Sequence, residues 1–356
     1  MATKRKSRGE PSISCIDVFC GVGGLTHGLA RAGIRVKAGI DLDPDCRFPF
    51  EQNNEAEFLE RDVRKVSGAE INRLFGDDCS FTLLAGCAPC QPFSTYSQSS
   101  RRQRAEGNWE LVREFGRLAR LARPDLITME NVPQLADHDV FAELLETLSG
   151  YNVWWDRVQC ADFGVPQTRT RLVLLASRLG AIELKRPSAA VRKKATVRAA
   201  IGALPAIGAG AADHDDPMHA ASGLSKINLR RIQSSLPGGT WRDWDDGLVA
   251  DCHKRSTGKT YPSVYGRMEW DAPAPTITTQ CFGFGNGRFG HPEQDRAITL
   301  REAAILQTFP KSYRFLPSGE KPRFSVMGRH IGNAVPVRIG ETIGKALVSH
   351  VATVGA

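Results

Sequence analysis

Phe81-Thr82-Leu83-Leu84-Ala85-Gly86-Cys87-Ala88-Pro89-Cys90-Gln91-Pro92-Phe93-Ser94 is the stretch from which the fold is read. Its first half is a short apolar run ending in glycine, the pattern of a buried strand. Pro89 and Pro92 bar a helix beyond it and keep the chain extended through Cys90. A thiol is therefore expected at the C-terminal end of a strand, the edge at which open α/β sheets bind ligands. Taken alone, Cys90 reads equally well as a small buried hydrophobe. Cys87 and Cys90 also make a C-x-x-C pair, the spacing of metal and redox sites. The sequence has no second such pair, and the prolines around Cys90 suit neither use, so no metal is expected.

Upstream, residues 12–19 form another apolar run. It leads into Cys20-Gly21-Val22-Gly23-Gly24 and a helix with Leu25, Leu29 and Ala32 on one face. A glycine-rich strand-to-helix turn lets a ligand approach the backbone closely, although tight packing also selects glycine. The dinucleotide fingerprint G-x-G-x-x-G needs glycine at position 26, where Thr26 stands, and this disfavours a nicotinamide or flavin. The next strand, Val36–Ile40, ends at Asp41, placed to accept from ribose hydroxyls. A third, Phe58–Leu59, runs to Asp62-Val63, where a carboxylate can accept from an adenine amino group. Either acid alone is an ordinary turn residue. Three successive strand ends bearing Gly, Asp and Asp describe a pocket for an adenosine without a phosphate clamp, hence S-adenosylmethionine.

Downstream of Cys90, residues 95–109 read as a mobile loop whose Arg101, Arg102 and Arg104 either grip phosphates or are solvated. A helix over 110–122 precedes the strand Leu126–Met129, which ends in Glu130-Asn131-Val132-Pro133. Glu130 thus stands at a strand end, as Cys90 does, and is expected to be partly desolvated. A helix follows over 140–148, then a strand over 151–160 with Trp154 and Trp155 in the core. In Gln167-x-Arg169-x-Arg171 the two arginines share a face if the chain is extended. Arginine suits recognition of a carbonyl or phosphate oxygen.

Five motifs in this order resemble those of the DNA (cytosine-5) methyltransferase family: Asp17-Val18-Phe19-Cys20-Gly21-Val22-Gly23-Gly24, Pro89-Cys90-Gln91-Pro92-Phe93-Ser94, Glu130-Asn131-Val132, Gln167-x-Arg169-x-Arg171 and Gly332-Asn333-Ala334-Val335-Pro336. The resemblance covers about 12–188 and 296–350. One departure is Cys87-Ala88, where many members carry Gly-Pro or a similar pair. The resemblance implies an α/β fold: a Rossmann-like S-adenosylmethionine-dependent methyltransferase sheet with a smaller, loop-rich target-recognition domain. It implies a cofactor pocket from Phe19, Gly21, Gly23, Gly24, Asp41, Leu42, Asp62, Val63, Pro89 and Asn333, with S-adenosylhomocysteine as product. Cys90 is then the nucleophile that adds to cytosine C6, and a protonated Glu130 donates to N3. Arg171, supported by Arg169, holds O2 or a nearby phosphate. The cytosine must flip out of the duplex to be reached.

From about 189 the composition shifts. Residues 202–223 are rich in Ala, Gly, Asp and His, as in a linker or irregular loop. Residues 189–275 hold 12 Lys+Arg against 9 Asp+Glu and three of the six tryptophans, Trp241, Trp244 and Trp270. Basic and aromatic residues in a turn-rich segment suit contact with DNA. The expected division is a catalytic domain over 12–188 plus 325–356, a target-recognition domain over 189–324 and a flexible basic arm over 1–11. Thr299, with Glu302 three residues on, predicts a capping box opening a helix to Phe309, and a last helix is expected over 337–350.

At 356 residues the chain suits one large domain or two, and its excess of Lys+Arg (47) over Asp+Glu (39) suits a polyanionic partner. Nine scattered cysteines and no signal peptide suit a reducing cytoplasm, and no run is long enough to span a bilayer. A monomer acting on double-stranded DNA is expected, with a companion restriction endonuclease acting on the same sequence as a possible counterpart. Three rivals stand beside this reading: an RNA (tRNA) cytosine-5 methyltransferase, a non-catalytic DNA-binding regulator with a relic site, and an adenosine-cofactor oxidoreductase.

Overall fold

A computed structural model describes residues 12–89, 109–187, 195–255, 258 and 260–354. Seven strands form one sheet: β1 Ile13–Val18, β2 Arg35–Asp41, β3 Glu57–Glu60, β4 Phe81–Gly86, β5 Leu126–Asn131, β6 Asn152–Gln159 and β7 Thr170–Ser177. Their order is β3-β2-β1-β4-β5-β7-β6. β1 to β5 pair in parallel, while β7 runs antiparallel between β5 and β6. From β1 the sheet grows one way through β2 and β3 and the other way through β4 and β5. The ends of β1 and β4 therefore flank the switch in strand order, where such sheets bind ligands.

The central strands β1, β4, β5 and β7 are largely buried because both faces of the sheet are covered there. Side chains alternate between the faces. Ile16, Val18, Leu84, Ile127, Met129 and Leu174 share a core with Phe75 of α2 (Gly68–Phe75), Phe115 and Leu118 of α3 (Glu110–Ala122) and Phe141 and Leu144 of α4 (Asp139–Thr147). Their neighbours Cys15, Leu83, Ala85, Leu126, Val173 and Leu175 pack on the opposite face. There they meet Leu25 and Leu29 of α1 (Gly24–Arg31) together with Ile339, Ile343, Leu347 and Val351 from the far end of the chain.

Three helices lie in that last part of the chain: α5 (Leu300–Leu306), α6 (Phe324–Asn333) and α7 (Val337–Val354). The capping box forms as expected: Thr299 Oγ1 accepts the Glu302 N–H at 3.0 Å, and Glu302 accepts the Thr299 N–H at 2.7 Å. Arg296 holds both Glu302 oxygens in the interior at 2.7 and 2.8 Å. A further core joins Leu300, Leu306, Phe309, Tyr313, Met327 and Ile331 to Cys20, Phe50 and Phe58 beside the first strands.

Two sequence expectations are corrected. Trp155 is 39% exposed, lying edge-on to Phe141, and Trp154 is only partly buried. Both sit on β6, the outermost strand, where covering helices no longer reach both sides. Conversely, Trp241 and Trp244 do not face outward. They are buried with Ile232, Leu248, Val264 and Phe284 in a small separate core. The Trp241 ring stacks on His253, and each indole N–H is satisfied, at the Tyr261 carbonyl and the Ser235 hydroxyl respectively. A turn-rich segment with few regular elements builds its core from large rings. No described helix is long and apolar enough to cross a membrane.

α1 and α7 cross closely because glycines face each other. A Cβ on Gly28 would overlap the Val337 carbonyl oxygen, and one on Gly340 would press on the Leu25 carbonyl oxygen. Gly28→Ala should push the helices apart and lower the unfolding free energy by about 1–3 kcal/mol, as overpacking does. A urea unfolding midpoint equal to that of the wild type would refute this.

Candidate active site

The turn after β1 is a tight left-handed path. Phe19, Gly21 and Gly23 all have positive φ, and Phe19 at +60° is a non-glycine residue held there by its N–H bond to the Ile40 carbonyl at 2.7 Å. The glycines serve different ends. A Cβ on Gly23 would strike the Asn54 amide and one on Gly24 the Val335 carbonyl, so packing demands both glycines. In front of Gly21 a Cβ would meet nothing within 4 Å, so this face of the turn is open. The Gly21 N–H donates to Asp41 Oδ2 at 2.8 Å, which ties the turn to the end of β2. Asp41 Oδ1 accepts the Asp43 N–H. Beside it Leu42 is 63% exposed, an apolar side chain standing clear of the protein.

Asp62 caps the turn after β3 through the Arg64 N–H and is gripped by the Arg64 guanidinium at 2.6–3.0 Å. Those bonds hold its carboxyl below the usual range. Val63 is buried behind it. Asn333 ends α6 and is exposed, between two residues whose carbonyls point inward to Arg169.

Asp17, read only as part of a motif in the sequence, is a further candidate. It is fully buried in β1, with Oδ2 accepting from Thr26 Oγ1 at 2.6 Å and Oδ1 without a hydrogen-bond partner among the described residues. Burial pushes its carboxyl up to about 7; the Thr26 bond opposes this and the Asp41 charge adds to it. Its sequence signal is the acid two residues before Phe19 in the first motif.

Glu130 is the penultimate residue of β5, with its side chain 3% exposed. Arg171 Nε lies 3.0 Å from Oε1 as an ion pair, yet the approach is off hydrogen-bond alignment, so Oε1 makes no hydrogen bond among the described residues. Oε2 accepts the Cys87 thiol at 3.1 Å. Asn131 donates from its side chain to the Ala88 carbonyl at 3.0 Å and so fixes the chain entering Pro89 and Cys90. Sequence reading passed over this role of Asn131. Pro89 is exposed. Cys90 itself, and residues 95–108 with Arg101, Arg102 and Arg104, lie outside the described residues.

The three polar members of Gln167-x-Arg169-x-Arg171 have separate tasks. Gln167 is buried, bonding the Leu306 carbonyl and the Gln307 side chain and accepting the Ile277 N–H. Arg169 is 2% exposed and donates to the carbonyls of Ile277, Gly332 and Ala334 at 3.0–3.4 Å. Burial first, and the nearby Arg171 charge second, lower its guanidinium to about 10. Only Arg171 reaches Glu130. The structure thus brings Glu130, Arg171, Cys87 and the chain at Pro89 together, and separately Gly21 with Asp41.

A family model described as C-5 cytosine-specific DNA methylase matches residues 13–349. The chain is 52% identical to the type II methylase M.HgiDII of Herpetosiphon aurantiacus over 337 residues, covering 93% of this chain and 94% of that protein. It is 31% identical to the type II methyltransferase M.Eco47II of Escherichia coli, covering 94% of this chain and 78% of the other. Among solved structures, an E. coli prophage protein classed as a DNA modification methyltransferase superposes with a TM-score of 0.68 at 23% identity, covering 95% of this chain and 99% of that one. The Dnmt2 methyltransferase of S. pombe superposes with a TM-score of 0.57 at 16% identity, covering 96% and 99%. With its sheet order, its paired Glu130 and Arg171 and a family match over nearly its whole length, the chain belongs to the C-5 cytosine-specific DNA methylases.

Proposed function

We propose that the protein methylates C5 of a cytosine flipped out of a specific duplex DNA sequence, through a transient covalent bond between Cys90 and C6. The observation that carries this reading is the buried Glu130, paired with Arg171 on one oxygen, beside a chain that Asn131 fixes two residues before Cys90. Cytosine C5 is a poor nucleophile until a thiolate adds at C6 and makes it enamine-like. The negative charge that builds on the ring at N3 and O2 is met by Glu130, donating to N3, and by Arg171 at O2. Arg169 supports Arg171 from behind, anchored on three backbone carbonyls. After alkylation a base removes the C5 proton, the C6–S bond breaks and the Cys90 thiolate is released.

The first three strand ends suit S-adenosylmethionine. Asp17 Oδ1 has no hydrogen-bond partner among the described residues, the front of Gly21 is open, and Asp41 lies beside it. The buried Asp17 and the carboxylates of Asp41 and Asp62 match a ligand carrying an ammonium, a ribose diol and an adenine amino group. Phe19, Leu42, Val63, Pro89 and Asn333 would line the rest, with Gly23 and Gly24 shaping the turn. Bound there, S-adenosylmethionine supplies an electrophilic methyl on its sulfonium. The relatives' type II names favour a role beside an endonuclease of the same specificity, and a monomer suffices for the reaction.

Asp41→Ala removes one ligand contact and the anchor of Gly21. Affinity for S-adenosylmethionine should fall by about 1.5–3 kcal/mol, and unchanged binding by titration calorimetry would misplace the pocket. Residues 189–275 hold none of the catalytic motifs, so exchanging them for a relative's segment should change the methylated sequence. A working chimera with the parent specificity would count against assigning recognition there. A duplex with 5-fluorocytosine at the target should trap the enzyme, since fluorine stands where the leaving proton should be. Cys87→Ala should still form this adduct and Cys90→Ala should not; peptide mapping that placed the adduct on Cys87 would overturn the mechanism.

A further inference from the structure

The two oxygens of Glu130 have different surroundings. Oε1 faces Arg171 at 3.0 Å without a hydrogen bond, while Oε2 accepts the Cys87 S–H at 3.1 Å. Strand register explains the second contact. Gly86 of β4 lies beside Met129 of β5, so the next residue on each strand, Cys87 and Glu130, come side by side. A glutamate carboxyl turns in a broad, roughly two-fold well about its last torsion. A partner on each oxygen, the Arg171 guanidinium at Oε1 and the Cys87 thiol at Oε2, fixes the plane of the carboxyl.

We propose that Cys87 is a positioning residue for the methyl transfer: its thiol holds Oε2 of Glu130 and so fixes the plane in which the carboxyl meets the base. This rests on the reading of Glu130 as the group that meets N3.

The test uses the full-length protein, tritiated S-adenosylmethionine and unmethylated genomic DNA, with Cys87→Ala, Cys87→Ser and Glu130→Gln compared with the wild type. Cys87→Ala should lower kcat about 10-fold, the loss of one hydrogen bond made at the reacting group. KM for DNA and cofactor and the Tm should stay near wild type. Cys87→Ser keeps an O–H donor in place and should recover kcat to within about threefold of wild type. A wild-type kcat in Cys87→Ala would overturn the inference. So would Cys87→Ser as impaired as Cys87→Ala, or a loss confined to KM. Glu130→Gln tests the underlying reading separately: if it turned over at the wild-type rate, the assignment of Glu130 would fall and the inference with it. An inactive Glu130→Gln beside a fully active Cys87→Ala would sink only the role given to Cys87.

Discussion

The Arg169 guanidinium, buried behind the sheet, joins segments that lie 108 and 163 residues further along the chain, at Ile277 and Gly332. Removing a guanidinium from water is costly unless its donors are used. Here backbone carbonyls supply the partners among the described residues, and those of Gly332 and Ala334 need donors because the segment 331–335 leaves a helix end. The two terminal nitrogens are thereby engaged, while Nε keeps no hydrogen-bond partner among the described residues. This arrangement also frees the next arginine. With Arg169 engaged on the backbone, Arg171 is the one left to approach Glu130 from the paired strand β7.

The site is completed by both ends of the chain. Gly24 at the start of α1 packs against the Val335 carbonyl, and α7 lies along α1 through facing glycines. The sheet's first turn is therefore packed directly against the C-terminal segment. The core around Phe309, Tyr313 and Met327 continues this arrangement past Cys20 and Phe50. An open-faced glycine and packing-facing glycines thus sit within four residues of each other, and a substitution at Gly21 differs in kind from one at Gly24.

Two buried carboxyls, Asp17 and Glu130, stand near strand ends of the one sheet, and each keeps one oxygen without a hydrogen bond among the described residues. For Asp17, burial outweighs the Thr26 bond and holds the acid near neutrality. A cationic or donor-rich ligand would compensate that desolvation, so occupancy of the pocket would also stabilise the fold.

The strands, the glycine turn, the capping box of α5 and the order of the family motifs are legible in the residues alone. These rest on local chemistry: period-two burial, φ restriction by proline, glycine's access to positive φ, and side-chain-to-backbone bonds within three residues. Which Trp residues are buried was not legible, because Trp155 and Trp241 differ only in what lies across from them: the sheet edge in one case, a histidine ring in the other. Nor could spacing separate Arg169 from Arg171, since the difference lies in carbonyls more than a hundred residues away. The pairing of Cys87 with Glu130 was likewise decided by the register between β4 and β5, a matter of long-range hydrogen bonding that no local pattern encodes.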